Sequence, residues 1–203
     1  MKKGLVAGLG CLAIIVIAVL IIGSYAIGVY NSLVSLEQDV ESKRSQVDNV
    51  YQRRMDLIPN LVATVKGYAG HEKEVLENVT ASRAQVGSIK FSPEMLNNAA
   101  EFQKFQQAQA GLSSALSRLL AVAENYPNLK ANQNFLDLQS QLESTENRIT
   151  VERKRFNEAA QAYNTKVLQF PGKIFASIYG KAPKQYFQSS AGSDKAPVVD
   201  FTK

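Results

Sequence analysis

The sequence predicts an all-α fold, with an N-terminal transmembrane helix followed by an antiparallel three- to four-helix bundle with long helices. Three observations carry that prediction. No charged residue occurs between Gly4 and Leu36. Beyond that stretch, apolar residues recur at spacings of three, four and seven as far as Phe170, which is the helical period rather than the period of two that marks strands. Proline and glycine interrupt the pattern only at wide intervals, so helices are long, connections are short and neighbouring helices run antiparallel.

The first element is "GLVAGLGCLAIIVIAVLIIGSYAIGVY", residues 4–30. A bilayer crossing takes roughly 20 residues, whereas the apolar core of a cleaved signal peptide takes about 7–15. The run from Gly4 to Ile22 already exceeds the second range. Residues 1–3 are therefore a short cytoplasmic tail and residues 4–29 an uncleaved single-pass anchor, with "SYA" at 24–26 as the competing cleavage site. Most of the apolar run follows Cys11, as in a plain membrane helix and unlike a lipidation signal. Lys2 and Lys3 precede the span, and Glu37, Asp39 and Glu41 follow it before Lys43 and Arg44. The positive-inside rule then places the N-terminus inside and the bulk of the chain outside the cytoplasm.

The bundle occupies residues 30–188. In its first helix Leu33, Leu36, Val40, Val47, Val50, Leu57, Leu61, Val65, Tyr68, Val75, Val79 and Val86 keep one phase through Gly67 and Gly70. This predicts one bent helix over 31–87, about 85 Å long. A break at the glycines is the alternative. The second helix opens on Ser92 as N-cap with Pro93 at its first position. Its stripe is Leu96, Ala99, Phe102, Phe105, Leu112, Leu116, Leu119 and Ala123, it ends before Pro127, and it spans about 50 Å.

If the first helix is continuous, roughly its first 20 residues outrun the second. Leu33, Leu36, Val40, Val47 and Val50 would then form an uncovered stripe that calls for self-association into a homo-oligomer or a docked partner. If the helix breaks, the same stripe is ordinary bundle core. The third helix runs from about Leu129 to Phe170. Its coiled-coil-like seam is Phe135, Leu138, Leu142, Ile149, Phe156, Tyr163, Val167 and Phe170, with Thr145 and Glu152 as polar members. "KIFASIYG" is a short amphipathic helix, and residues 189–203, with "SSAGSDKAP" and "VVDF", are a flexible tail.

Several chemistries are excluded. The chain has 203 residues, a net charge of +5, one Cys and one His. That rules out an intrachain disulfide and a Cys/His metal cluster. No concentrated basic face points to nucleic acid. "HEKEV" at 71–75 has the first His and the Glu of a zinc-protease motif, but Val75 stands where the second His must be. The pairs Glu143/Glu146 and Glu152/Glu158 lack the Glu-x-x-His partners of a di-iron bundle and read as solvated faces. Gly67 and Gly70 stand alone, so no phosphate loop exists, and any catalytic triad would have to use His71. No catalytic, metal-binding or cofactor-binding residue is assigned, and the chain is read as a non-enzyme. "RITVERKRF" (148–156) reads as a solvated face, with Arg148, Arg153, Lys154 and Arg155 as the candidate partner or headgroup patch.

"RRMDLIPNLVATV" (53–65) holds a proline inside a helical stripe. Pro59 has no N–H for the carbonyl of Met55, so the helix is expected to bend there, with Asn60, Arg53 or Arg54 serving the freed groups. Arg54, Leu57, Ile58, Pro59, Asn60 and Leu61 form this kink motif.

"LIPNLV", "YPNLKAN" and "ENRI…R…FN…YN", set within residues 30–85, 123–176 and 195–201, together resemble the LemA family of bacterial membrane proteins. The resemblance implies an N-terminal membrane segment, an antiparallel helical bundle and the bacterial cytoplasmic (inner) membrane. It implies no known activity and no catalytic residues. Three roles are weighed on these readings: a self-assembling scaffold at the cell envelope, as an alternative an adaptor or accessory subunit for a membrane protease or other envelope protein, and, least favoured, an enzyme.

Overall fold

A computed structural model describes residues 2–188, with side chains described from residue 10 except at 11. Among the described residues there are six α-helices and no strand: α1 (Lys2–Tyr68), α2 (Lys73–Gly87), α3 (Ala99–Ala123), α4 (Pro127–Lys130), α5 (Gln133–Leu168) and α6 (Gly172–Ile178). The tail expected at 189–203 lies outside the described residues. The chain divides into two compact units. Among the described residues, the first takes α1 up to Ser42 together with Ala159–Lys184, and the second takes Lys43–Glu158 and residues 185–188.

In the first unit, α1 exposes Leu12, Val16, Leu20 and Ile27 on an apolar surface long enough to cross a membrane. Past that surface the helix turns inward-facing. Val29, Leu33 and Val40 are buried together with Ala160, Tyr163 and Val167 of α5 and Ala176 of α6. Leu33 and Val40, from the stripe expected to lie uncovered on a stalk, are therefore covered here by the chain itself. Residues 159–168, the end of α5, supply the partner that the helix-length argument left out.

Two polar devices lock this packing. Glu37 accepts from Lys181 and, at 3.0 Å, from Lys184. Asn164 holds Lys184 by both backbone groups, donating to its carbonyl at 2.8 Å and accepting its N–H at 2.7 Å. Burial works against the charge of Glu37, but the hydrogen bonds and charges of the two lysines outweigh it and hold the carboxyl below its ordinary 4.5. A depressed folded-state pKa stabilises fully above the unfolded value and is lost as pH falls through the folded one. Acidification below pH 4.5 is therefore expected to loosen residues 176–184. Faster amide exchange there, abolished in Glu37→Gln, is the check.

The second unit is a four-segment helical core. Met55, Ile58, Leu61 and Val65 of α1 pack with Leu76, Val79 and Val86 of α2, Leu112, Leu116 and Leu119 of α3, and Phe135 and Leu142 of α5. The first helix does not run to residue 87. It ends at Tyr68, and α2 begins as a separate helix at Lys73. Ala69 is fully buried at the corner, and a Cβ on Gly70 would sit 3.1 Å from the carbonyl of Lys66. Tyr126 donates to Glu72 at 2.9 Å, and Asn132 donates to the Tyr68 hydroxyl at 2.9 Å, fastening the turn from below.

Three smaller expectations change. Pro93 opens only a 3₁₀ turn over Glu94–Asn97, and the long helix starts after Asn98, whose side chain accepts from the amides of Ala100 and Glu101. The third helix starts at Gln133 rather than near Leu129, because Asn132 accepts the Phe135 N–H and caps it. Phe170 lies beyond the end of α5 and is 82% exposed, so it is not a seam residue.

Candidate functional site

Pro59 sits exposed within α1, and the helix continues through it to Tyr68. The Met55 carbonyl that it cannot serve has another donor: Arg83 Nε of α2, at 3.1 Å. The arginine that answers the proline is thus neither Arg53 nor Arg54, and the freed carbonyl ties α1 to α2. Arg83→Met should cost about 1 kcal/mol, the usual net worth of such a bond. In a Pro59→Ala background, where the amide is restored, the cost should shrink. Denaturant unfolding of the four variants measures the coupling, and additive effects would refute the pairing.

Arg54 points elsewhere. It is only 1% exposed, with its guanidinium in a network of α1, α3 and α5. Nη1 donates to Ser113 at 2.9 Å and to Glu146 at 2.8 Å, and Nη2 donates to Gln109. The guanidinium also lies 5.2 Å from the Tyr51 ring, which meets Phe105 edge-on at 5.5 Å. Burial pushes the Tyr51 hydroxyl up in pKa although Arg153 and Arg54 pull the other way. Glu146, expected on a solvated face, is the counter-charge of the buried arginine. Arg54 Nε has no partner among the described residues.

Arg54 forms part of the floor of an open cleft of about 560 Å³ between α3 and α5. Its walls carry the amides and hydroxyls of Gln103, Gln106, Gln107 and Ser113 on one side and of Thr150 on the other, beside the Arg153 guanidinium and the apolar Ala110 and Ile149. Gln188 closes one end. There the backbone of the chain's own residues 187–188 is held by side chains. Asn157 donates to the Phe187 carbonyl and accepts its N–H, both at 2.9 Å. Gln106 accepts the Gln188 N–H at 2.9 Å, and Arg153 donates to the Gln188 carbonyl at 2.8 Å. The Phe187 ring is buried among Phe91, Phe102 and Phe156.

The basic patch is not one surface. Arg153 stacks 4.7 Å from the Phe187 ring in this cleft. Arg148 and Arg155 line a different groove, with Gln46, Asn49 and Val50. Lys154 faces Glu158 at 4.0 Å. Of the kink motif, Ile58 and Leu61 are core, Leu57 is half-buried and Asn60 is exposed. Val47 is buried in this unit and Val50 and Leu36 are half-buried in theirs. His71 is exposed in the α1–α2 turn, and no group of three or more His, Cys, Asp or Glu placed to hold a metal occurs among the described residues. Asn157 was visible only as part of the "FN" of the family motif, with no role attached, and Phe187 was missed because it lies in a non-helical segment that has no periodicity to read.

Comparison with known proteins gives a family match. The model of the LemA family matches residues 43–201. Magnetosome protein MamQ 2 of Paramagnetospirillum magneticum is 27% identical over 186 residues, covering 84% of this chain and 68% of the relative. Magnetosome protein MamQ of Magnetospirillum gryphiswaldense is 26% identical over the same shares. Protein LemA of Metamycoplasma hominis is 23% identical over 175 residues, covering 83% of this chain and 74% of the relative.

Proposed function

This chain belongs to the LemA family, and from that premise we propose that it is a membrane-anchored, non-enzymatic adaptor whose second unit takes an extended polypeptide segment of an envelope protein into the α3–α5 cleft. One observation carries the reading. The cleft wall already binds peptide backbone: Asn157, Gln106 and Arg153 satisfy the amides and carbonyls of residues 187–188. The same type of side chain continues past Gln188 towards Arg54. Amide side chains offer donors and acceptors to any backbone, so they suit a segment read mainly by its main chain. The self-assembling scaffold drew its support from an uncovered stripe, and the burial of Leu33, Val40 and Val47 removes that support.

The anchor is the apolar N-terminal part of α1. The charge asymmetry around it favours an inside N-terminus at the bacterial cytoplasmic membrane. The test is a photo-crosslinking amino acid placed at exposed Gln107 in full-length protein in its native membrane. A discrete adduct with a different polypeptide, lost when Gln103 and Thr150 are changed to Ala, supports the adaptor. A ladder in steps of the 22.3 kDa chain supports the scaffold instead. No adduct at Gln107 overturns the cleft as the docking site.

A further inference from the structure

The first unit carries a second apolar surface that its packing does not use. From the last residue of α5 onward, the chain exposes Leu168 (56%), Phe170 (82%), Ile174 (52%) and Ile178 (70%). Ile174 and Ile178 are four residues apart on α6 and share one face. The opposite face is fixed to α1: Ala176 is buried, Phe175 meets the Tyr25 ring at 5.6 Å, and Tyr179 meets the Tyr30 ring at 5.1 Å. The Tyr179 hydroxyl also donates to the Ala26 carbonyl at 3.2 Å.

The corner that aims this surface is built from glycine. A Cβ at Gly172 would meet the Lys166 carbonyl at 2.7 Å, so only glycine lets the chain turn back there. Gly180, at φ +64°, ends α6, with Lys181 N–H donating to Ala176 O and Gly180 N–H to Ser177 O. The exposure is thus a consequence of a closed, satisfied backbone.

We infer that this tip, Leu168 with Phe170, Ile174 and Ile178, is a second membrane contact that inserts into the interfacial layer of an anionic bilayer beside the α1 span. The reading rests on α1 being the anchor. Its warrant is continuity, because the α1 residues that hold α6 are 25, 26 and 30, where the exposed apolar run ends and Tyr25 and Tyr30 stand in the position of an interfacial aromatic belt. Charge agrees. Residues 159–188 hold four lysines and no acid. Lys173 is exposed next to Ile174, while Lys181 and Lys184 pair with Glu37. An apolar face flanked by lysine is the pattern of an in-plane membrane helix drawn to anionic headgroups.

The experiment uses full-length protein carrying Cys11→Ala, reconstituted into vesicles of phosphatidylcholine and phosphatidylglycerol. A spin label is placed singly at Phe170→Cys, Ile174→Cys or Ile178→Cys, with Leu20→Cys as the anchor reference and Ser140→Cys as the aqueous one. Collision with oxygen and with a water-soluble nickel chelate gives depth. The expected result is a shift of the three tip labels from the nickel-dominated value of residue 140 to an oxygen-dominated one, short of the value at residue 20. Tip labels that match residue 140 while residue 20 is deep would overturn the inference and leave the anchor standing. Tip labels shielded from both reagents would mean a protein covers the tip, and would also overturn it. A nickel-accessible residue 20 would remove the anchor itself and the inference with it.

Discussion

Phe187→Ala is expected to release residues 185–188 and to lower the stability of the second unit by about 3 kcal/mol, the lower end for truncating a buried phenylalanine. The ring is 5% exposed and has three aromatic neighbours, with centroids at 5.8 Å (Phe91), 5.0 Å (Phe102) and 5.2 Å (Phe156). Such pairs add to the area term because ring edges and faces attract. The ring also sets the register that lets Asn157 reach both backbone groups of the same residue. Asn157→Ala removes those bonds and spares the ring, so its cost should be smaller, about 1–2 kcal/mol. Denaturant unfolding of full-length protein in detergent ranks the two variants. Exchange of the Phe187 amide shows whether the segment has come away. Equal costs, or a protected Phe187 amide in Phe187→Ala, would show that the ring is not the anchor.

The helical period made the element types legible and left their joints obscure. Val65, Tyr68 and Val75 keep a three- and seven-residue spacing across the turn, so the stripe carries on although the backbone does not. Gly67 and Gly70 offered a break in the sequence, but the close approach of Gly70 to the Lys66 carbonyl at the corner is a three-dimensional fact. Phe170 misled for the same reason: the heptad phase runs past the last hydrogen-bonded turn of α5.

The cleft was barely legible. Arg54 is joined to residues 55, 59 and 92 positions away, and Arg83 to one 28 away. No local pattern announces such pairs. "RRM" showed two adjacent arginines without saying that one is solvated and the other is the floor of a site. The apolar N-terminal stretch, long enough to cross a membrane, needed no partner to be recognised, because its exposed apolar surface is a property of one contiguous stretch.

Glu146→Ala should destabilise the second unit by about 2–3 kcal/mol, since removing one member of a buried pair leaves the other charge uncompensated. Arg54 is 1% exposed, so little water stands by to replace the lost carboxylate. Ser113 and Gln109 still accept from it, but neither carries charge. The figure sits at or below the lower end for buried pairs because the Glu146 side chain is 39% exposed and water already screens part of its field. Replacing both members, Arg54→Met with Glu146→Leu, should recover most of the loss, as apolar side chains of similar volume often serve as well as a buried pair. That double variant separates two roles of the network. If it unfolds like wild type yet gives no Gln107 adduct, the arginine and its carboxylate shape the cleft for its occupant rather than hold the bundle. If it binds as wild type does, the network is structural and the amides of α3 and α5 suffice for binding. If Glu146→Ala costs nothing, the guanidinium is satisfied by Ser113 and Gln109 alone, and the ion pair does not hold the floor of the cleft.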